Sequence, residues 1–541
     1  MDRRLFLTYV GSSTAALVAA SSGVGALTAN ANAMSANSLL NGQLSGRGKP
    51  LTVPFKPVSR TWENELVLPR GYKYNIIASY GDVINSKGEK FGDAADLTIY
   101  FPIDSLQGGN NSEEGLIWVN HEFPEPGNYM KILGINEATF KKENLSNYPE
   151  LLKMEKEAVG GSVIHVKREN GEWKLVQDDT YNRRVDGTTP IELTGPARGS
   201  KAVNGATRVE GSLGNCSGGK TLWNTALSCE ENTTYGSSYG WPNFDDTHYG
   251  WVVEVDPFDP KKPVRKHTAL GRFAHENTAM GLTKDGRVVV YMGDDKGDEC
   301  FYKFISNKKF NSNNREANFD ILESGTLYVA NLGKQKWVAL DYATNPALQS
   351  KFADQADVLT NARAAARVVG GTLLDRPEDV EIHPHDGTVF LALTNNSGHG
   401  NFHGQIVRFI PANGDHGSDS FTFEVFIAGG QQSGITCPDN LHFDSKGNLW
   451  VVEDFGATED NVYAAYKNCG VFVIPTDGRS YGIPYQFASG PKGCELTGPW
   501  LTPNERTLFL DVQHPDTWNP YPGHSFGRSC LVAVQGGIFV K

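Results

Sequence analysis

From about residue 65 onward the chain repeats one texture, a short run of apolar residues interleaved with polar ones and closed by a turn. "GLIWVNHE", "GWVVEVDP", "DGRVVVYMGDD", "DGTVFLALTNN", "KGNLWVVEDF" and "ERTLFLDVQHP" all show it, each rich in Val, Leu, Phe and Trp. Successive side chains of a strand point to opposite faces, so a period of two predicts β-strands. Helical periodicity is scarce. The clearest case is "NYPELLKMEKEAVGG" (147–161), with Leu151, Leu152, Met154 and Ala158 near helical spacing and glycines at its end. Residues 345–369 give a second helical segment.

The second half carries a loose internal repeat. "RPEDVEIHPHDGTVFLALTNN" (376–396), "CPDNLHFDSKGNLWVVEDF" (437–455) and "LTGPWLTPNERTLFLDVQHP" (496–515) share a polar start, a strand, a turn and a second strand ending in polar residues. Such a repeat predicts an all-β fold, a β-propeller of small antiparallel sheets around a central channel, with a few inserted helices. An irregular β-sandwich array is the other architecture the pattern allows. In a propeller, the polar residues that begin each innermost strand converge on one end of the channel, however far apart they stand in sequence.

Composition narrows the function. The 541 residues carry 62 acidic and 50 basic side chains, a net charge of −12, which argues against nucleic-acid binding. The N-terminus places Arg3-Arg4 before a weakly apolar, uncharged run and offers Ala31-Asn32-Ala33 as a cleavage site. Residues 1–33 therefore read as a twin-arginine signal peptide recognised by the twin-arginine export machinery, and the mature protein is expected to be periplasmic or extracellular. Residues 34–64, rich in Ser, Asn, Gly and Pro, read as a linker or N-terminal strap, and residues 65–541 as the propeller catalytic domain. No stretch reaches the ~18 apolar residues of a transmembrane segment. Seven cysteines leave at least one unpaired.

The chemistry lies at the strand edges. Asn120, His121 and Glu122 follow one apolar run, Glu230-Glu231 another, Asp294-Asp295 a third and Glu453-Asp454 a fourth. Cys216, His275-Glu276, Arg376, Glu378-Asp379 and Asp439-Asn440 stand beside further strands. Carboxylates tucked against apolar strands cost several kcal/mol each unless paired or metal-bound. Oxygen donors suit calcium, and a thiolate suits a softer ion such as iron. "NCSGGKTLWNTALSCEEN" (215–232) joins both kinds of donor, with Cys216 as the candidate ligand set against the alternative of a buried structural thiol. Of Glu230 and Glu231 only one can face the site. His121 and His275 read as packing residues. "GSSYG" (236–240) matches the GxSxG pattern of serine hydrolases, but no helix follows, and it reads as a loop.

"NCSGGKTLWNTALSCEEN", "YNRR" with "LTGPARG" (181–199), "HYGWVVEVDP", "GRFAHE", "RPED" and "CPDNLHFD", in this order, resemble the PhoX-type alkaline phosphatases over residues 65–520. The resemblance implies an iron–calcium cluster in the propeller channel and hydrolysis of phosphate monoesters, with some diesters, outside the cytoplasm. It implies Cys216 as the iron thiolate and Glu122, Glu231, Glu276 and Glu378 as carboxylate ligands, with Asp379, Asp439 and Asp454 as further metal ligands. Arg376 would hold phosphate oxygens, and Asn120 would assist catalysis by hydrogen bonding. Family and repeat spacing together suggest six blades, and the expected form is a monomer. Two stretches depart from the family pattern: "TLWNT" (221–225) replaces "TPWGT", and Trp500 replaces a small residue. Set against this reading are a calcium-dependent lactonase-like propeller hydrolase and a non-enzymatic propeller scaffold.

Overall fold

The computed structural model describes residues 53–515, 526–537 and 539, so the proposed signal peptide and residues 34–52 lie outside the described residues. Each predicted strand forms: Glu114–His121, Val252–Val255, Arg287–Gly293, Val389–Leu393, Leu449–Glu453 and Thr507–Gln513. They are less one-sided than a half-buried strand would be. Leu116, Ile117, Trp118 and Val119 are all fully buried, as are Leu449 to Val452. Alternate residues of one strand serve two different cores. Val288, Val290 and Met292 pack with Leu227 and Val252, while Val289 and Tyr291 pack with Val380 and Leu391. Both faces of each sheet are thus covered by neighbouring sheets, which explains runs that are apolar throughout.

The described residues contain six sheets of four or more strands. Their innermost strands are Ala95–Pro102, Asn215–Lys220, Ala279–Leu282, Pro377–Ile382, Pro438–Phe443 and Glu495–Leu501. Each of these inner strands touches the next in that order, and Glu495–Leu501 returns to Ala95–Pro102, so the sheets close a ring around a channel. This is the propeller architecture. The sixth sheet takes its outermost strand, Lys73–Ser79, from near the start of the described chain and pairs it antiparallel with Cys530–Gln535. The internal repeat corresponds to the first hairpins of the fourth, fifth and sixth sheets.

Helices are insertions. Pro126–Leu133 and Pro149–Ala158 lie between the second and third strands of the first sheet. The 345–369 segment is three short helices, Pro346–Gln349, Gln355–Thr360 and Ala362–Val368, because Asn345 and Asp354 each cap a new helix start. "GSSYG" corrects the loop expectation: Tyr235–Tyr239 is one helical turn. No strand leads directly into it, and Ser238 Oγ donates to the Thr234 carbonyl (3.0 Å), so it is no nucleophile elbow. No helix among the described residues is long and apolar enough to cross a membrane.

The Pro149–Ala158 helix buries Glu155, whose carboxylate accepts from Trp241 Nε1 at 2.8 Å. Burial raises its pKa from 4.5 to about 7. A raised carboxyl pKa favours the folded state at low pH and loses that contribution as pH rises from the unfolded value through about 7. Glu155→Gln is therefore expected to raise the melting temperature in mildly alkaline buffer, with the gain fading toward pH 4.5. Calorimetry at the two pH values checks it, the ceiling being on the order of 3 kcal/mol at about 1.4 kcal/mol per pKa unit.

Candidate metal centre

The strand register explains how the channel acquires its chemistry. In the first sheet Ala95 faces His121 and Thr98 faces Val119, so Asp96 and Leu97 together oppose Asn120. The second sheet sets Cys216 and Ser217 against Cys229 in the same way. In the third, the His275–Asp294 bridge and the Ala279–Tyr291 pair leave three residues, Glu276 to Thr278, opposite two. The fourth sets Glu378 and Asp379 against Ala392, and the fifth Asp439 and Asn440 against Val452. The sixth sets Gly498 and Pro499 against Leu510. The inner side of every sheet therefore carries a β-bulge, which bends the strand and re-aims a side chain. The leading bulge residues are Asp96, Cys216, Glu276, Glu378, Asp439 and Gly498. At Gly498 (φ +58°) a Cβ would come within 2.6 Å of the Thr98 nitrogen, so the sixth position carries no side chain.

Four of these strands are preceded by a left-handed residue: Ala94 (φ 43°), Gly214 (73°), Arg376 (53°) and Cys437 (48°). For residues other than glycine such geometry stores strain, and it clusters at functional sites. At Arg376 it turns the guanidinium toward the acids. A second tier of acids follows the strand opposite four of the six bulges: Glu122 after His121, Glu231 after Glu230, Asp295 after Asp294 and Asp454 after Glu453. The residue before each points the other way. Glu230 pairs with Lys266 (2.7 Å), Asp294 with Arg363 (2.5 Å) and Glu453 with Arg60 (2.6 Å).

Two donor groups result, Asp96–Glu122–Cys216 and Glu276–Glu378–Asp439, with ligand atoms within 4.8 Å of one another in each. Cys216 Sγ donates to Glu276 Oε2 at 3.1 Å and joins the two. Gln513 Nε2 donates to Asp96 Oδ2 (2.9 Å) and Glu122 Oε2 (3.0 Å). Arg376 forks onto Asp295 at 2.8 and 2.7 Å. Its Nη2 lies 2.7 Å from Glu378 Oε1, and its Nη1 lies 3.5 Å from Asp454 Oδ2. Removal from water, and then the charges of neighbouring acids, push the carboxyls of Asp96, Glu231, Glu276 and Asp439 well above the usual range. The Cys216 thiol is pushed up for the same reasons. Asp96 Oδ1 is buried without a hydrogen-bond partner. Crowded hard oxygens, one sulfur and an orphaned buried oxygen fit bound multivalent cations: ionised together, these acids need more positive charge than Arg376 provides.

Cys216, Glu122, Glu276, Glu378 and Asp439 all fall in the donor groups, and Glu231 sits half-buried beside Asp295 and Glu122. Asp454 lies at the rim, its side chain 33% exposed. Two further residues named from the sequence lie outside the donor groups. Asp379, the second residue of its bulge, accepts from Asn277 Nδ2 and the Leu441 nitrogen. It lines a cavity of about 250 Å³ farther along the inner strands and is absent from both groups. Asn120 is fully hydrogen-bonded within the protein. Its Oδ1 accepts from Trp118 and Ser228, and its Nδ2 donates to the Cys216 and Ser217 carbonyls, so it holds the cysteine bulge in place. Asp96, Asp295 and Glu495 belong to the site but escaped the expected ligand set. Asp96 could have been found by its register: "DAADLTIYFP" places it where the other strands carry Cys216, Glu276, Glu378 and Asp439. His121 and His275 do pack, the first bonded to Ser162 Oγ (2.8 Å), the second stacked on Phe273.

Neither departure from the family pattern contributes a residue to the donor groups. Asn224 (φ 58°) fills a left-handed turn position where glycine or asparagine is favoured, and Trp500 packs on His442.

A closed ring of sheets around an acid-lined channel defines the chain as a β-propeller with a carboxylate-rich centre. It belongs to the alkaline phosphatase PhoX family, whose model matches residues 53–516. Pseudomonas fluorescens PhoX, solved in complex with vanadate as a transition-state analogue, is 32% identical with a TM-score of 0.79, covering 90% of this chain and 98% of its own. A Xanthomonas campestris gluconolactonase is 11% identical with a TM-score of 0.29, covering 70% of this chain and 82% of its own. The calcium structure of a Trichoderma reesei AA12 enzyme is 11% identical with a TM-score of 0.36, covering 90% and 99%. Comparison with curated proteins finds no match. The chain is an enzyme, a phosphatase.

Proposed function

We propose that this six-sheet propeller hydrolyses phosphate monoesters, and some diesters, outside the cytoplasm at an iron–calcium centre, after export by the twin-arginine route. The observation that carries the reading is the Cys216–Glu276 contact joining the two donor groups, with the Arg376 fork beside them. Cys216, Asp96 and Glu122 would hold the softer ion, and Glu276, Glu378 and Asp439 a hard one. When bound, these cations supply charge that offsets the phosphoryl oxygens and eases ionisation of an attacking oxygen. The chain does the positioning. Asp295 holds the guanidinium by two bonds, which leaves Nη1, 3.5 Å from Asp454, to receive a phosphate oxygen. Asn120 and Gln513 fix the donors before substrate arrives. The vanadate complex of the Pseudomonas fluorescens relative supports reading the site as one for phosphoryl transfer.

The test is a p-nitrophenyl phosphate assay with and without a calcium chelator, alongside elemental analysis. Activity is expected to vanish with the chelator and return with calcium, while iron stays with the protein. Undiminished hydrolysis by protein stripped of both metals would overturn the reading.

A further inference from the structure

The strap does more than cover the propeller. Residues 53–64 lie along the last strand of the fifth sheet: the Val58 nitrogen donates to the Gln486 carbonyl (3.1 Å), and Phe55 packs edge-on against Phe487, ring centroids 5.1 Å apart. From this segment Arg60 enters the fifth sheet. Its Nη1 donates to Glu453 Oε2 (2.9 Å) and to the carbonyls of Tyr466 (3.0 Å) and Asn468 (3.3 Å). Its Nη2 donates to Glu453 Oε1 (2.6 Å) and the Gly434 carbonyl (2.7 Å). The guanidinium carbon also lies 5.0 Å from the Phe472 ring centre and 5.1 Å from that of Tyr466. Lysine could not reproduce this planar fork.

What Arg60 holds bears on the centre from two sides. Glu453 is fully buried and also accepts from the Thr436 nitrogen at 2.9 Å, fixing the chain just before Cys437, Pro438 and Asp439. Asp439 is a member of the second donor group. The residue after Glu453 is Asp454, which faces Arg376 Nη1. The other two backing acids draw their cations from later in the chain, Lys266 on the strand Arg265–His267 and Arg363 on the helix Ala362–Val368. Glu453 alone of the three takes its cation from the strap.

We propose that Arg60 is a positioning residue of the metal centre: the strap delivers a guanidinium that fixes Glu453 and, through it, the placement of Asp439 and Asp454. The inference rests on the metallophosphatase reading above. Without Arg60, Glu453 is a buried charge with no counterion, and its relaxation moves the backbone on both sides of the bulge.

The experiment compares Arg60→Met and Arg60→Lys with Phe55→Ala, which loosens the strap but leaves Arg60 in the chain. Metal per chain, KM and kcat on p-nitrophenyl phosphate, and thermal midpoint are measured on full-length purified protein. Phe55→Ala is expected to lower the midpoint with metal content and KM unchanged. Arg60→Met is expected to weaken metal retention or activity about ten- to a hundredfold, as loss of a residue supporting metal ligands does, while the protein is still folded at the assay temperature. Arg60→Lys is expected to fall between, and it decides the matter should the methionine variant not fold. Wild-type metal content and KM in the lysine variant, with a midpoint lowered as in Phe55→Ala, would overturn the proposal. A wild-type protein without metal or phosphatase activity would overturn the parent reading instead.

Discussion

Arg376→Ala is expected to lower kcat/KM for phosphate monoesters by about a hundred- to a thousandfold, the range found when one preorganised donor to a developing oxyanion is removed. Asp295 takes two guanidinium bonds and Glu378 lies 2.7 Å from Nη2, so the group is locked before substrate binds. The left-handed backbone at Arg376 is part of that lock. Metal content is expected to survive, because the donor groups keep all their ligand atoms. Arg376→Lys restores charge without the planar fork and is expected to recover only part of the loss. Steady-state kinetics with metal analysis of the same preparations check this, and a loss smaller than threefold in the alanine variant would refute the phosphate-holding role.

Cys216→Ser is expected to remove iron and activity together. The exchange is nearly isosteric, and the bulge is held by Asn120 through the Cys216 and Ser217 carbonyls, so the register has no reason to change. What changes is softness: a hydroxyl is a far poorer ligand than a thiolate for iron. Serine also fails to bridge the donor groups through sulfur, the contact now made to Glu276 at 3.1 Å. Elemental analysis and turnover of the folded variant decide the point. Full activity in an iron-free serine variant would remove the cysteine from the centre.

The alternation along the chain revealed the strands and, through the late repeat, the ring. It did not reveal that both faces of each strand are covered, because an apolar run and a half-buried strand differ only in their polar partners. Strand geometry allowed only one of Glu230 and Glu231 to face the site, since neighbours point apart, and the family resemblance chose Glu231. The bulges were the hidden element. A bulge is a relation between two strands, so Glu378 and Asp379 look equivalent in "RPED" until register shows which one leads. Asp96 was overlooked for the same reason. Asn120 was visible only as a polar residue at a strand end; its four bonds, to Trp118, Ser228 and two backbone carbonyls, are relations between strands that the sequence does not print. The cysteine–glycine segment was legible because its sulfur stood beside permissive backbone. Gly218 and Gly219 prove indispensable, as a Cβ would come within 2.0 Å of the Leu227 carbonyl or 2.1 Å of that of Thr278.

The sixth sheet needs both Lys73–Ser79 and Cys530–Gln535. The strand that carries Gln513, which donates to Asp96 and Glu122, pairs with Cys530–Gln535 in that sheet. Closing so long a loop is entropically expensive and slow relative to local hairpins. Assembly of the centre is therefore tied to a long-range pairing, and loss of Cys530–Gln535 is expected to disturb Gln513 and with it the donors it holds.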